Sequence, residues 1–487
     1  MRKAFSQQRR LDCRGIADVQ LNLECRHESI PILKALQHVY SRYEVRDHVL
    51  QLIARDVNQD SRSDCGREGF DYWQVLVLAA ARLGCNYNYD ELQDLAEQHR
   101  ALRQMMGIGD WDEDTSFNWR RIQDNVCLLQ PETIDALSQA LVAEGHRLEP
   151  EAVKKVRGDS FVAETNIHWP TESSLIRDGL RKILALSLTL AAATGQRGWR
   201  QRAHLLAKAN HLARDIDRIA AKKGPHYEQR LKPKYRALLK LSGKLTQRAR
   251  KLVAAAESHG GGDATTLKEL RTFLQLTEQV RDTAKRRVLR GETVPNAEKL
   301  FSLFETHTQL YKRGKAGEPV QFGRLVLVLE DAAGFIVQHQ MMPRDATDKS
   351  VVVEQMRITQ TRLGGRIESA SFDRGFHSPE NQVELAKIIA HPCLPKPGAK
   401  QAAAQAAAAT VEFREARQRH SGIESAIGAL QAGNGLKRCR DHSEQGFQRY
   451  ISLGILGRNL HVLGKLLITR EQANSEAARS RRRTSAA

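Results

Sequence analysis

The chain has 487 residues and a formal net charge of +19, from 76 Lys and Arg against 57 Asp and Glu. This length allows about two to four domains, and the basic excess favours polyanionic partners. Seven Cys without a C-x-x-C pair argue against a zinc ribbon and against a secreted disulfide framework. No signal-peptide core and no run of about 18 apolar residues is visible, so we expect a cytoplasmic protein without a membrane segment.

Residues 1–150 are predicted to form a separate all-α domain. Three segments have the apolar spacing of helices: 71–84, 89–106 and 114–129. The third has three candidate N-cap residues: Asp114, Thr115 and Ser116. Arg120 and Arg121 near its start are typical of a helix-turn-helix recognition element, so we predict that they bind DNA. The alternative is a solvated Arg pair beside a core Trp119.

The first candidate metal ligand is Asp159, in the segment VKKVRGDSFVAETNIHWP. Val156, Phe161 and Val162 supply the apolar residues of a short strand that carries Asp159 in its middle or near its end. A charge is rarely buried without a partner. A carboxylate inside a β-like run therefore indicates a nearby cation or a metal.

Residues 181–300 are predicted to be a basic bundle of long helices inserted into the fold that carries Asp159. The segment has 27 Lys and Arg against 10 Asp and Glu, which accounts for nearly the whole net charge. Three apolar stripes at helical spacing are separated at Gly224-Pro225 and at Gly260-Gly261-Gly262. Four cations crowd one stretch, where bound DNA phosphates would offset their repulsion: Lys285, Arg286, Arg287 and Arg290. The alternative is a solvated bundle with no particular partner.

The second candidate ligand is Asp373, at the end of a predicted strand. Four residues alternate onto one face of that strand: Ile367, Ser369, Ser371 and Asp373. Ser378 and Pro379 then supply an N-cap and a first helical residue. Open α/β sheets keep their binding sites at strand ends, so Asp373 is placed as a metal ligand would be. The alternative is an ordinary turn residue.

The elements around Asp373 follow a definite order. Residues 320–342 predict a β-hairpin, 349–362 a helix, and 388–394 a short strand. Strand, hairpin, helix, strand, helix, strand, helix is the order of a ribonuclease-H-like fold. We therefore predict an α/β (α+β) domain of this fold, built from 151–180 and 301–470.

The third candidate ligand is Glu424, near the start of a predicted helix. Ile423, Ile427 and Leu430 recur at helical spacing, and Gly422 lies near the helix start. Glu424 lies beside this apolar stripe, so it would point sideways toward a sheet edge. The alternative is a solvated residue on the helix surface.

Two segments of biased composition flank this helix. The Ala-rich residues 399–410 predict a surface helix or a spacer. Residues 471–487 predict a disordered basic tail, in which Arg481, Arg482 and Arg483 add nonspecific attraction for phosphates.

Three blocks resemble the DDE transposases of bacterial insertion sequences, most closely the ISNCY group. They are RGDSFVAETNIHWPTESSLIRDG around Asp159, SFDRGFHSPEN around Asp373, and RHSGIESAIGALQAGNGLKRCRDHSEQGFQRYISLGILGRNL around Glu424. With the amino-terminal region, the likeness covers most of the chain. The resemblance implies a ribonuclease-H-like domain that binds two Mg²⁺, with Mn²⁺ as a substitute. It also implies that Asp159, Asp373 and Glu424 are the catalytic triad and the metal ligands.

The chain departs from related families on the helix of Glu424. Those families carry a Tyr, Arg, Glu and Lys signature there, whereas His420 occupies the Arg position and Gln431 the Lys position. Three other cations are candidates for the contacts to the DNA donor strand: Arg417, Arg419 and Lys437.

The carboxylates suit this chemistry, because Mg²⁺ prefers hard oxygen ligands. Two such ions, about 3.5–4 Å apart, activate the attacking oxygen and stabilise the leaving oxygen. The sequence thus predicts a transposase that binds the terminal inverted repeats of its element and a target duplex, cuts and rejoins strands, and forms a homodimer when it synapses two ends. The alternatives are a nuclease of the same fold that only hydrolyses and a catalytically inactive DNA-binding regulator.

Overall fold

The structure, a computed structural model, describes the following residues: 2–5, 12–58, 69–222, 224–258, 263–315, 318–396 and 410–484. It is mixed α/β, as the sequence predicts, with helices predominating. Two compact units divide it. Unit 1 comprises Met1–Glu164 and Arg324–Ala487, and unit 2 comprises Thr165–Gly323. The Ala-rich prediction at 399–410 lies, up to residue 409, outside the described residues.

The amino-terminal part of unit 1 is helical. Its helices are α1 (Ser29–Ser41), α2 (Tyr43–Asn58), α3 (Tyr72–Gly84), α4 (Tyr89–Gln98), α5 (Arg100–Met105), α6 (Trp119–Val126) and α7 (Pro131–Leu148). The helix predicted at 71–84 is confirmed as α3. The one predicted at 89–106 is divided into α4 and α5 at His99, and the one predicted at 114–129 is the shorter α6. These helices belong to the same compact unit as the sheet that carries Asp159, so the unit extends beyond the predicted boundary at residue 150.

The sheet brings together strands that are far apart in sequence. The strands are β1 (Lys155–Thr165), β2 (Gln309–Lys315), β3 (Glu318–Asp331), β4 (Ile336–Met341), β5 (Ser369–Phe372), β6 (His391–Cys393) and β7 (Arg438–Cys439). Within unit 1 the neighbours run β4, β3, β1, β5, β6, and β7 pairs with β1. The predicted hairpin is confirmed, since β3 and β4 are antiparallel. Strand β5 pairs in parallel with both β1 and β6.

Four shorter helices of unit 1 follow in the sequence order predicted around the carboxylates. They are α12 (Asp348–Arg362), α13 (Pro379–Ala386), α14 (Val411–His420) and α15 (Gly422–Ala432). The predicted start of α13 is confirmed: the Ser378 hydroxyl accepts a hydrogen bond from the Asn381 N–H at 3.0 Å, and Pro379 is the first helical residue. Gly422 is likewise the first residue of the Glu424 helix.

Helix α16 (Glu444–Thr484) packs against α1, α3, α7 and β4. Gly457 and Gly464 allow this close packing, because a Cβ at either position would overlap the backbone of Gly84 or Pro31. The fully buried Asn459 accepts a hydrogen bond from the Ile336 N–H at 2.8 Å and donates one to the Ile336 carbonyl at 2.9 Å.

The same helix corrects the prediction of a disordered tail for residues 471–484, whereas residues 485–487 lie outside the described residues. The chain remains helical to Thr484. Glu, Gln and Ala residues after Arg470 favour helix, and Glu471 forms an ion pair with Lys34 at 2.6 Å.

Within the described ranges, one helical segment is long and apolar enough to cross a membrane by length and composition alone: Glu444–Ala478, which is part of α16. Arg458 and Lys465 interrupt its apolar run, which is why no continuous stretch is visible in the sequence. Because 61% of its apolar window is buried inside the protein, the helix is compatible with the core of a soluble protein.

Unit 2 contains the predicted basic bundle. Its helices are α8 (Glu172–Ala193), α9 (Arg202–Lys222), α10 (Tyr227–Ser258) and α11 (Ala264–Ala284), and α11 continues into a π-helical turn at Lys285–Leu289. The four helices enclose an apolar core that includes Ile183, Leu238 and Leu270. Strand β2 pairs with the first part of β3, as far as Gly323. The compact unit is therefore wider than the predicted insertion at 181–300.

A buried ion pair joins the amino-terminal helices of unit 1 to the segment that leads into α16. Arg82, on α3, donates from both terminal nitrogens to the Asp441 carboxylate, and both side chains are almost fully buried. The Arg82 guanidinium also lies 4.0 Å from the ring centroid of Tyr89.

Asp441→Leu should therefore lower the free energy of unfolding by about 3–5 kcal/mol, because it leaves the Arg82 charge buried without its carboxylate. The measurement is chemical denaturation followed by circular dichroism. The double variant Arg82→Met/Asp441→Leu should recover much of the loss, because neither replacement leaves a buried charge. A double variant no more stable than Asp441→Leu would contradict this account.

Candidate functional site

Asp159 and Asp373 lie on neighbouring parallel strands. The register of β1 with β5 pairs Lys155 with Ser369 and continues to Gly158 with Phe372. The next position on each chain is Asp159 and Asp373, in a sheet whose strands lie about 4.8 Å apart. Asp373 is exposed and Asp159 half-buried. The structure thus brings together, at the carboxyl end of β5, two carboxylates that are far apart in the sequence.

Buried polar atoms lie on β5 and on α14, which packs against β5. Within the described residues, the Ser371 hydroxyl, the Nδ1 of His420 and one terminal nitrogen of Arg419 are buried without a hydrogen-bond partner. Leaving such a group unsatisfied costs roughly 1–3 kcal/mol, and a bound ligand, ion or water is the usual explanation. The region beside Asp373 is therefore suited to a bound polar species.

The His420 imidazole lies close enough to the Asp373 carboxylate and to the backbone of Ser371 for both to act on its pKa. Burial lowers the pKa of its imidazole, although the Asp373 carboxylate acts in the opposite direction. His420 is consequently neutral at neutral pH. It does not supply the positive charge that an Arg would supply in the same position.

Arg157 connects the Asp159 strand to the helices that carry His420 and Glu424. Its Nε donates to the Glu330 carboxylate at 2.6 Å, and its Nη1 donates to the Arg419 carbonyl at 2.7 Å. A Cβ at Gly422, the first residue of α15, would overlap Nη1 of Arg157. Arg157 and Asp159 lie two positions apart on one face of β1. This contact places the first turn of α15, which includes Glu424, beside the strand of Asp159.

Glu424 itself is exposed in that first turn. Among the described residues, no group of three or more His, Cys, Asp and Glu side chains is arranged as a metal site. Convergence of Asp159, Asp373 and Glu424 on metal ions therefore stays a prediction.

Two residues at this site were not among the candidates from the sequence. Arg157 had no local signal, because its partners Glu330 and Arg419 lie 173 and 262 residues away. Asp348 is the first residue of α12, and one of its carboxylate oxygens is buried without a hydrogen-bond partner in the described structure. A Cβ at Gly375 would lie 3.6 Å from its other oxygen, so Asp348 borders the turn that follows Asp373.

The predicted recognition residues lie at the start of α6. Arg120 and Arg121 are both exposed, and their guanidinium groups lie over the rings of Trp119 and Phe70. The N-cap is Asn118, whose side-chain oxygen accepts hydrogen bonds from the backbone N–H groups of Arg120 and Arg121, at 3.0 and 3.4 Å.

This geometry corrects two predictions. None of Asp114, Thr115 and Ser116 caps α6, because the buried Phe117 stacks on Phe70 and the helix begins only after it. Residues 106–118 separate α5 from α6, whereas a helix-turn-helix has a turn of about three to four residues. These two helices therefore do not form the predicted helix-turn-helix.

The four cations at 285–290 are largely paired within unit 2. Arg286 forms ion pairs with Glu298 at 2.6 Å and with Glu292 at 2.9 Å. Arg287 pairs with Glu172, and Arg290 lies 3.4 Å from Glu292. The expectation that this stretch offers four free positive charges to phosphates is therefore at odds with the structure, because carboxylates neutralise three of them: Glu172, Glu292 and Glu298.

The remaining predicted DNA contacts are divided between surface and interior. Arg417 and Lys437 are exposed. Arg419 is half-buried, and burial lowers the pKa of its guanidinium. The Lys437 carbonyl accepts the Glu164 N–H at 3.0 Å and so joins the segment before β7 to the end of β1.

No family model, no curated protein and no solved structure matches this chain.

The contact between Arg157 and Gly422 can be tested by a single methyl group. Gly422→Ala should destabilise unit 1 by roughly 1–3 kcal/mol, because the new Cβ displaces Arg157 from its buried hydrogen bonds. The measurement is thermal denaturation followed by circular dichroism. Gly428, on the same helix, has open space around its Cα. Gly428→Ala should therefore stabilise the protein by up to about 1 kcal/mol through helix propensity. Equal gains from the two variants would show that Arg157 does not constrain α15.

Proposed function

We propose that this protein is a DNA transposase that cuts and rejoins DNA strands with two divalent cations held by Asp159, Asp373 and Glu424. The observation that carries the proposal is the parallel register of β1 and β5, in which Asp159 and Asp373 occupy the next paired positions. Parallel strands expose their carboxyl ends at one sheet edge, where α/β proteins bind their ligands.

The arrangement of the sheet supports a ribonuclease-H-like fold for this domain. A central β1 is flanked on one side by the β3–β4 hairpin and on the other by the parallel strands β5 and β6. Helices α12, α13 and α14 occur between and after these strands. This matches the order of elements expected from the sequence, in which helices α8 to α11 follow β1 and precede the hairpin.

The residues present fit divalent cations. Asp159, Asp373 and Glu424 offer only hard oxygen ligands, which suit Mg²⁺ and Mn²⁺. When bound, two such ions activate the attacking oxygen and stabilise the leaving oxygen of a phosphodiester. Arg157 holds the start of α15 against β1, which supports our proposal that Glu424 joins the two Asp residues at the metal site. His420, whose pKa is lowered by burial, lies beside Asp373 and so adds no fixed positive charge next to that carboxylate.

The partner that we propose is double-stranded DNA, as the terminal inverted repeats of an element and as the target. Net charge of +19 supports attraction to a polyanion. Joining two element ends requires two active sites, so we propose a homodimer in the synaptic complex. We also propose that the protein acts in the cytoplasm.

The carboxylates can be tested one at a time. Asp159→Asn, Asp373→Asn and Glu424→Gln should each abolish metal-dependent cleavage of a terminal-repeat duplex while leaving its binding largely intact, because phosphate contacts come mainly from cations. Cleavage should also stop in EDTA and return with Mg²⁺ or Mn²⁺. Gel assays of cleavage and binding, run on the same samples, measure both effects.

Asp345→Asn is the matched control. Asp345 is exposed, and its φ of 64° is one that Asn tolerates. Full cleavage by Glu424→Gln would remove Glu424 from the site, and no cleavage by the wild type with either metal would overturn the proposal.

A labelled target duplex added to the wild-type reaction should receive the cut end. Cleavage without joined product would indicate a nuclease instead.

Recognition of the terminal repeat is expected to depend on the start of α6. If Arg120 or Arg121 contacts a base edge, its replacement by Ala should cost roughly 1–3 kcal/mol of discrimination between repeat and scrambled duplexes. Competition binding measures this ratio. Arg26→Ala removes another exposed Arg and should leave the ratio unchanged. Unaltered ratios in both α6 variants would place sequence recognition elsewhere in the protein.

A further inference from the structure

Helix α10 has an unusual distribution of charge. Over residues 229–256 it contains nine Lys and Arg and no Asp or Glu. Its buried face is apolar or neutral and packs in the bundle core, with residues such as Leu238, Leu245 and Leu252. The cations are therefore displaced toward the sides and the outer face of the helix.

The outer face carries a straight row of basic side chains. Five residues spaced by four, four, three and four positions are all exposed: Arg236, Lys240, Lys244, Gln247 and Lys251. At about 100° per residue they fall within an arc of about 80°, and at about 1.5 Å per residue the row is about 22 Å long. We call the four cations of this row, Arg236, Lys240, Lys244 and Lys251, the α10 stripe.

The α10 stripe is free of acidic partners, unlike its neighbours. Among the described residues, none of its four side chains makes an ion pair or a hydrogen bond. By contrast, Lys234 pairs with Asp215 at 2.7 Å, and Arg250 lies 3.6 Å from Glu278. Two cations beside the row are therefore neutralised by carboxylates, whereas the row itself has no carboxylate partner among the described residues. Like charges four residues apart repel each other and destabilise the helix, so a bound polyanion would relieve a real cost.

We propose that the α10 stripe is the surface of unit 2 that binds the backbone of duplex DNA, independently of base sequence. Each strand of a duplex presents a phosphate about every 3.4 Å of axis, so the row is long enough to follow about six base pairs. This inference rests on the proposed function and adds the surface that holds the DNA outside the catalytic site.

The composition of the face distinguishes a duplex from other polyanions. A helix that lies on a membrane presents a large apolar face alongside its cations, whereas the apolar face of α10 is buried in the bundle. Proteins that hold single strands stack bases on exposed aromatic rings. The aromatic residue in this part of the helix, Tyr235, is 4% exposed and belongs to the bundle core.

The test compares two quadruple variants of the full chain with the same change in charge. In the stripe variant, Arg236, Lys240, Lys244 and Lys251 are all replaced by Gln. In the control variant, the four cations at 285–290, three of which are paired with carboxylates, are replaced by Gln: Lys285, Arg286, Arg287 and Arg290. Binding to a random 30-base-pair duplex in EDTA is measured as a function of salt. The stripe variant should flatten the log–log slope by up to about three to four units, at about 0.9 per phosphate contact, whereas the control should flatten it by less than about one.

Each outcome decides between the two proposals. Equal flattening in both variants, or none in the stripe variant, would overturn the α10 stripe as the binding surface. If the stripe variant still cleaves terminal-repeat DNA at saturating concentration, the proposed function stands whatever the slope. If the wild type neither binds nor cleaves DNA, the proposed function fails as well. Loss of binding to phosphatidylserine vesicles, with DNA binding unchanged, would assign the stripe to a membrane and overturn the inference. Circular dichroism of both variants checks that the exposed substitutions leave the helices folded.

Discussion

The parallel pairing of β1 with β5 is the constraint on which the candidate site depends. It joins residues more than 200 positions apart and sets Asp159 opposite Asp373. A slip of one residue would move one of these carboxylates to the other face of the sheet. The register is held because both faces of these strands are largely covered. Phe372 is buried on β5, and Gly158 on β1 leaves room for Leu329 and Phe372, which a Cβ there would overlap.

Buried charge then positions the helix that carries Glu424. Glu330 is 1% exposed and lies between Arg157 and Arg458. Burial raises the pKa of its carboxyl, and Arg157 acts against that shift. The remaining hydrogen-bonding capacity of Arg157 is used on the Arg419 carbonyl, and its guanidinium leaves room only for Gly at position 422. A buried ion pair of this kind is a poor source of net stability but a strong geometric constraint, because breaking it leaves a charge without compensation.

The basic residues of the two units serve different roles. Near the candidate site, Arg157 is partly buried and held by hydrogen bonds to the Glu330 carboxylate and the Arg419 carbonyl, and Arg419 is half-buried. In unit 2, three of the four cations at 285–290 are paired with acidic residues, whereas the more widely spaced cations of the α10 stripe have no ion-pair partner among the described residues. Local density of charge is therefore a poor guide to the surface that attracts a polyanion. The attraction for a polyanion depends on which cations the fold leaves without a carboxylate partner.

The sequence by itself determined the local elements of this protein. The hairpin at 320–342, the start of α13 at Ser378 and Pro379, and the helix of Glu424 follow from turn, capping and periodicity signals that act over a few residues. Its three candidate carboxylates were visible for the same reason. Only the tertiary structure decided the N-cap of α6, the role of Arg157 and the pairing of the cations at 285–290. Arg287 meets Glu172 across 115 residues and Arg157 meets Glu330 across 173. Contacts over such distances depend on how whole elements pack, and a local pattern carries no information about them.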